Sequence, residues 1–257
     1  MDKNINKLIQ LYSKESKHSG YQILPERLSR VLPQEYISIK SKYEKERLHY
    51  ILDKVDIENK VILDIGGNTG YFTFELIDNG AKHVHYYEGN QAHSEFVNIS
   101  SKILDIEDKI RITSEYFDFE NLSSNRYDIA LVLNILHHLG DDFGDANLNI
   151  EEAKKDIIKQ MNNMANISEI MIFQMGFNWK GNRYTCLFEN GTKGEMIEFI
   201  EKGTSNYWDI LKIGVPEKIR GKIIYMDIND ENVKRRDELG EFLNRPILIM
   251  KSKIFNK

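Results

Sequence analysis

The sequence is poor in cysteine and proline: Cys186 is the only thiol in 257 residues, and there are four prolines. A single cysteine forms neither an intrachain disulfide nor a cysteine-based zinc cluster, so nothing here requires an oxidising compartment. No apolar run is long enough to span a bilayer, and no basic start followed by an apolar stretch marks a secretion signal. Strong charge of one sign is also missing. The 35 basic residues against 40 acidic ones leave a net charge of −5, too mild to draw the whole molecule to nucleic acid or anionic lipid. A soluble, cytoplasmic protein is expected. The 41% hydrophobic and 29% charged content is that of an ordinary globular protein able to bury a sizeable core.

The most informative stretch is Val61 to Glu88, VILDIGGNTGYFTFELIDNGAKHVHYYE. Its apolar, β-branched opening has the length of a buried parallel strand. Gly66, Gly67, Asn68, Thr69 and Gly70 follow with nothing bulky until Tyr71. Phe72, Leu76 and Ile77 then recur at helical spacing, and Asn79-Gly80 reads as a helix stop. A second strand, His83 to Tyr87, ends on an acid, Glu88. Strand, glycine turn, helix, strand and acid make the first half of a nucleotide-binding βαβ unit. A dinucleotide fingerprint needs glycines at its first, third and sixth positions. Counted from Gly66, those positions hold Gly66, Asn68 and Tyr71, so a nicotinamide dinucleotide is disfavoured.

The order Asp64-x-Gly66-x-Asn68-x-Gly70 resembles motif I of the class I S-adenosylmethionine-dependent methyltransferases, with Asn68 in place of the middle glycine. Asn tolerates a left-handed backbone, so that replacement is physically mild. The resemblance implies S-adenosyl-L-methionine as cofactor, held by Asp64, Gly66, Gly67, Asn68, Gly70, Tyr71, Glu88 and Gly89, with Asn134 from a later strand. The chemistry agrees. An acid at the loop suits the cationic amino-acid end, and an acid closing the second strand can accept hydrogen bonds from two ribose hydroxyls.

Further along, a helix is expected from about Gln91 to Leu104 and a third strand near Ile110 to Ser114. Tyr127 to Asn134, YDIALVLN, reads as a fourth strand. The run Asn134 to Leu139, NILHHL, resembles the segment after motif IV in many small-molecule and RNA-modifying methyltransferases. It implies that Asn134 lines the transferring methyl, with His137 or His138 facing the crevice as general base and the other packed beneath. Histidine titrates in the range such a base needs; both histidines being structural is the rival reading. Asp141, Asp142 and Asp145 form an acidic loop without EF-hand spacing, and no metal is expected there. A helix from Glu151 to about Met164 and a fifth strand from Ser168 to Met175 follow. The segment Gly176 to Gly194 is long for a connection and mixes aromatic, amide and guanidinium groups, so Trp179, Arg183 and Tyr184 are expected to bind the acceptor. Two late strands, Lys222 to Ile228 and Pro246 to Lys251, complete the pattern.

The expected architecture is an α/β Rossmann-like three-layer sandwich. It has a mostly parallel seven-stranded sheet whose end is antiparallel. Residues 1–58 form an N-terminal helical extension or lid and residues 59–257 the methyltransferase domain. In the extension, Tyr12, Tyr21, Tyr36 and Tyr43 are either substrate contacts or core-edge residues. A long helical pattern starts near Pro33. The expected reaction moves a methyl group to an oxygen or nitrogen of a small-molecule or carbohydrate acceptor, as in surface-glycan or metabolite tailoring. Two alternatives stand beside it. One is a tRNA-modifying methyl or carboxymethyl transferase, a distant resemblance carried by the N-terminal helices and the paired histidines; the mild acidity counts against a nucleic-acid partner. The other is a non-catalytic cofactor-binding partner protein.

Overall fold

Val61–Ile65 forms the first strand, β1, with four of its five residues buried: Ile62, Leu63 and Ile65 of its apolar run, and Asp64. The computed structural model describes residues 3–14, 20–32 and 41–255. The packing divides the chain into two units, Met1–Phe117 and Asp118–Lys257.

Among the described residues the first unit carries three helices ahead of β1: α1 (Lys3–Tyr12), α2 (Glu26–Ser29) and α3 (Glu44–Lys54). The start proposed for a long helix near Pro33, and Tyr36 with it, lie outside the described residues. After β1 come α4 (Tyr71–Asp78), β2 (His83–Tyr87), α5 (Gln91–Ile103) and β3 (Ile110–Thr113). β2 pairs in parallel with β1 on one side and with β3 on the other. Parallel neighbours need a crossover, and α4 and α5 supply the two. Gly80, at φ +93, ends α4 in the left-handed conformation its position demands. α5 starts at Asn90, whose side chain accepts the amide hydrogens of Ala92 and His93. α1 meets α5 through Tyr12 and Phe96, ring centroids 5.7 Å apart.

In the second unit β4 (Tyr127–Leu133) and β5 (Ser168–Gln174) pair in parallel across α6 (Ile150–Met164). After α7 (Lys193–Thr204) come β6 (Trp208–Ile219), β7 (Lys222–Asp227) and β8 (Ile247–Ser252). The strand order is 4-5-8-6-7, with β8 antiparallel to β5 and to β6, and β7 antiparallel to β6. Among the described residues the strands therefore number eight, one more than expected, and β6 is the addition. Its alternation is broken by a bulge between Ile210 and Lys212, and Pro216 interrupts it further on, so neither period nor propensity marks it as a strand. Pro216 lies beyond the segment Trp208–Gly214 that pairs with β8, which is why a residue lacking an N–H is tolerated there. Parallel strands with helical crossovers first, and antiparallel strands last, give the Rossmann-like α/β class. No helix among the described residues is long and apolar enough to cross a membrane.

Candidate functional site

In the first unit the residues expected to bind the cofactor gather at the carboxyl end of β1. Gly66 and Gly67 turn the chain, both donating to the carbonyl of Tyr87, at 2.8 and 3.2 Å. Asn68 takes φ +52, the left-handed state expected of it. Gly67 has no room for a side chain: a Cβ there would lie 2.5 Å from the Tyr86 ring and 2.9 Å from Asp64 Oδ2. Gly70, at φ +83, is likewise closed in, by Val97 and Phe74.

Two carboxylates flank this loop. Asp64 is buried and accepts a hydrogen bond from Thr73 Oγ1 at 2.6 Å. Burial pushes its carboxyl up to about 6; the Thr73 bond opposes the rise and the nearby Glu88 charge adds to it. Glu88 is half-buried. One of its oxygens accepts the amide hydrogen of Asn68 at 2.9 Å and the other that of Asn90 at 2.8 Å. It thereby ties the glycine loop to the start of α5. Tyr86 completes the loop, donating from its hydroxyl to the Asn68 carbonyl at 2.5 Å.

Two further residues border this loop, and of these Gln22 was not expected from the sequence. Gln22 Oε1 accepts from the Tyr71 amide at 3.1 Å and from Thr69 Oγ1 at 3.4 Å. Tyr116, in the segment after β3, lies over Gly89, where a Cβ would come within 2.5 Å of its ring. Tyr116 belongs to the segment Glu115 to Asp118, which the resemblance to the class I methyltransferases implies as the adenine-contacting loop, beyond the carboxyl end of a strand. Gln22 had no comparable signal. Tyr12 and Tyr71 are both buried, and desolvation, followed for Tyr71 by Glu75 and for Tyr12 by Glu44, pushes both hydroxyls up.

The second unit gathers a different group at the ends of β4 and β5. Asn134 takes φ +62 and donates from Nδ2 to Gln174 Oε1 at 2.9 Å. Its Oδ1 accepts from Arg245 at 2.8 Å, and Glu241 holds the same guanidinium through Nε at 3.0 Å and Nη2 at 2.6 Å. Arg245 precedes β8, and because β8 runs antiparallel to β5 its beginning falls beside the end of β5. That juxtaposition is what sequence spacing alone conceals.

The paired histidines differ. His137 is buried, and its Nδ1 accepts the Gly176 amide hydrogen at 3.2 Å. An N–H donor facing Nδ1 fixes the neutral tautomer with its proton on Nε2. His138 is partly exposed, its Nδ1 3.4 Å from Asp142 Oδ2, and its ring packs 4.2 Å from that of His137. The ligand atoms of His138, Asp141 and Asp142 lie within 4.8 Å of one another. Asp145 lies outside that group and accepts the Asn147 amide hydrogen at 2.9 Å.

The segment after β5 is a small hairpin. Trp179 donates its amide to Thr185 at 2.8 Å and Leu187 donates to Phe177 at 2.8 Å. Trp179 is buried at the hairpin's base, its indole N–H on the Leu139 carbonyl at 2.8 Å. Arg183 and Tyr184 are exposed at the tip, the guanidinium 4.8 Å from the phenol ring. The three residues expected to act together thus occupy two environments, one packed and one in solvent.

Neither a protein-family model nor a curated protein matches the sequence. Solved structures do resemble the fold. WbdD, solved with the kinase inhibitor LY294002, superposes with a TM-score of 0.61 at 13% identity, covering 95% of this chain and 47% of that one. An S-adenosylmethionine-dependent methyltransferase from Clostridium acetobutylicum ATCC 824 gives 0.51 at 11% identity, over 82% of this chain and 90% of that one. Magnesium protoporphyrin IX methyltransferase from Synechocystis PCC 6803, with bound SAM, gives 0.50 at 11% identity, over 97% and 91%. Such identities speak to fold alone, and with the glycine loop and strand arrangement above they establish it: this chain is built on the class I, Rossmann-like fold of the S-adenosylmethionine-dependent methyltransferases.

Proposed function

We propose that the protein is an S-adenosylmethionine-dependent methyltransferase acting on an oxygen or nitrogen of a small-molecule or carbohydrate acceptor. The observation that carries the cofactor is the pair of carboxylates, Asp64 and Glu88, flanking one glycine loop. Two anionic groups at the loop repel a pyrophosphate, while they suit a ligand carrying an ammonium and a ribose diol. Glu88 would hold the diol by accepting hydrogen bonds from its hydroxyls at the carboxylate. Asp64, with the loop backbone from Gly66 to Tyr71, would hold the amino-acid end. When bound, the cofactor supplies a methyl group already activated on a sulfonium.

The protein's own contribution is then mostly alignment and exclusion of water. Asn134 has one N–H and one lone pair beyond those used by Gln174 and Arg245, enough to orient a polar acceptor. His138 is favoured over His137 as proton acceptor, since His137 is buried with its basic nitrogen already engaged. Asp142 would steady the His138 ring. The hairpin tip, Arg183 and Tyr184, is the acceptor-selecting part in this reading, with Trp179 anchoring it. Residues 1–58 act as a lid over the cofactor. The bond between Gln22 and the amide of Tyr71 supports that role.

Calorimetry with S-adenosylmethionine and NADH tests the cofactor, and methyl transfer from a labelled donor to pooled small molecules and to bulk tRNA tests the acceptor. Binding of NADH alone would overturn the reading of the loop. Transfer to tRNA alone, with steep salt dependence, would overturn the small-molecule acceptor.

A further inference from the structure

Residues 22–27 run along α4 and are fastened to it at both ends and between. Gln22 Oε1 accepts the Tyr71 amide hydrogen at the helix's first turn, Glu26 donates its amide to Glu75 at 2.7 Å, and Arg27 pairs with Asp78 at 3.0 Å at the last turn. Arg27 also donates to the Leu104 carbonyl at 2.7 Å. Behind this strap the Tyr12 hydroxyl donates to the Gln22 carbonyl at 2.5 Å. The Gln22 backbone and side chain are therefore both held.

The orientation of the carboxamide follows from its partners. The Tyr71 amide is a donor, so the atom facing it is the oxygen. The Gln22 nitrogen, with two N–H donors, is turned the other way, and among the described residues it has no protein partner. Gly70, the residue ahead of α4, gives its first turn no side-chain cap. Gln22 supplies a cap from outside the helix and in doing so fixes a pair of neutral donors beside the glycine loop.

We infer that Gln22 is a cofactor-binding residue whose carboxamide nitrogen donates to the α-carboxylate of the ligand's amino-acid end. This rests on the methyltransferase reading and adds to it the group that recognises that carboxylate. Asp64 and Glu88 are anionic and cannot serve it. A neutral, pre-oriented amide can, and it leaves the ammonium to the acids. Because its oxygen is already engaged on Tyr71, the donor pair costs little side-chain entropy to use.

The test compares wild type, Gln22→Glu and Gln22→Met by calorimetry. The probes are S-adenosylmethionine, S-adenosylhomocysteine and 5′-methylthioadenosine, which lacks the amino-acid end. Gln22→Glu keeps an acceptor for the Tyr71 amide and sets an anion against the ligand carboxylate. Its affinity for the two amino-acid-bearing nucleosides should fall at least about tenfold, because like charges face each other. Its affinity for 5′-methylthioadenosine and its melting temperature should stay close to wild type. Gln22→Met, without donor or acceptor, should weaken the same two ligands less, and it decides the matter if Gln22→Glu does not fold. Equal loss for all three probes, or no loss for any, would reduce Gln22 to a helix cap and overturn the inference. A wild type that binds none of the three would overturn the methyltransferase reading itself.

Discussion

Glu88, the residue directly after β2, accepts the amide hydrogen of Asn68, in the middle of the glycine loop, at 2.9 Å. One carboxylate thus shapes the loop and, in the proposed function, holds the ligand's ribose. Loss of Glu88 should therefore be felt twice. In Glu88→Ala the amides of Asn68 and Asn90 lose charge-assisted partners, each worth about 1.5–3 kcal/mol. The melting temperature should fall, and hydrogen exchange at Asn68 and Asn90 should speed up. S-adenosylmethionine affinity should drop by about tenfold or more. Unchanged affinity in a folded variant would remove Glu88 from the cofactor site.

Asp64 gives the fold a pH dependence of defined sign. Its folded pKa, about 6, lies above the ordinary carboxylate value because the charged form is buried. Between about pH 4 and 6 the folded state therefore holds a proton that the unfolded state has released, so stability falls as pH rises through that window. The loss is on the order of 3 kcal/mol at most. Urea unfolding at pH 5 and pH 7 should show it in wild type and not in Asp64→Asn. A cationic ligand end beside Asp64 stabilises the charged form, so S-adenosylmethionine affinity should rise over the same interval. The ligand should take up its place with release of a proton, measurable from the buffer dependence of the binding enthalpy.

Gly67→Ala places a methyl 2.5 Å from the Tyr86 ring, which is itself buried and bonded to Asn68. Overpacking of this kind costs about 1–3 kcal/mol. Gly221→Ala is the control: its φ is +82, but nothing lies within 4 Å of an added Cβ, so it should cost only backbone strain of about 1 kcal/mol. Chemical denaturation of both variants separates crowding from strain.

The two histidines should fail differently when replaced. His137→Gln disturbs a buried ring that accepts the Gly176 amide, and should lower stability by about 1–3 kcal/mol. His138→Gln should fold normally and, if His138 is the base, slow single-turnover transfer by about 10²–10⁴-fold and abolish the acid-side rise of its pH profile. Equal turnover in wild type and His138→Gln would leave alignment alone to drive transfer.

The hairpin after β5 divides in the same way. Trp179→Ala removes a buried ring and its bond to Leu139, and should destabilise by about 3–5 kcal/mol. Arg183→Ala and Tyr184→Ala, at the exposed tip, should leave stability and cofactor affinity near wild type and raise only the acceptor KM. Loss of cofactor binding in either tip variant would place the tip in the cofactor site.

Much of the first unit is legible in the residues because its signals are local. The apolar run Val61–Ile65, the glycines that follow and the stop at Asn79-Gly80 each act on their own few residues, so strand, loop and helix lie where those residues put them. Asn68 is the clearest instance: its tolerance of a positive φ is a property of the side chain, and the backbone there is indeed left-handed. The tertiary structure alone decided what depends on partners distant in sequence. β6 has no clean period and exists because β8 and β7 pair with it. Arg245 reaches Asn134 across 111 positions because an antiparallel strand begins where a parallel one ends. Gln22 reaches Tyr71 because the strap holding it is fastened along α4. Local propensity is written residue by residue, whereas a hydrogen bond between remote side chains exists only once packing has brought both there.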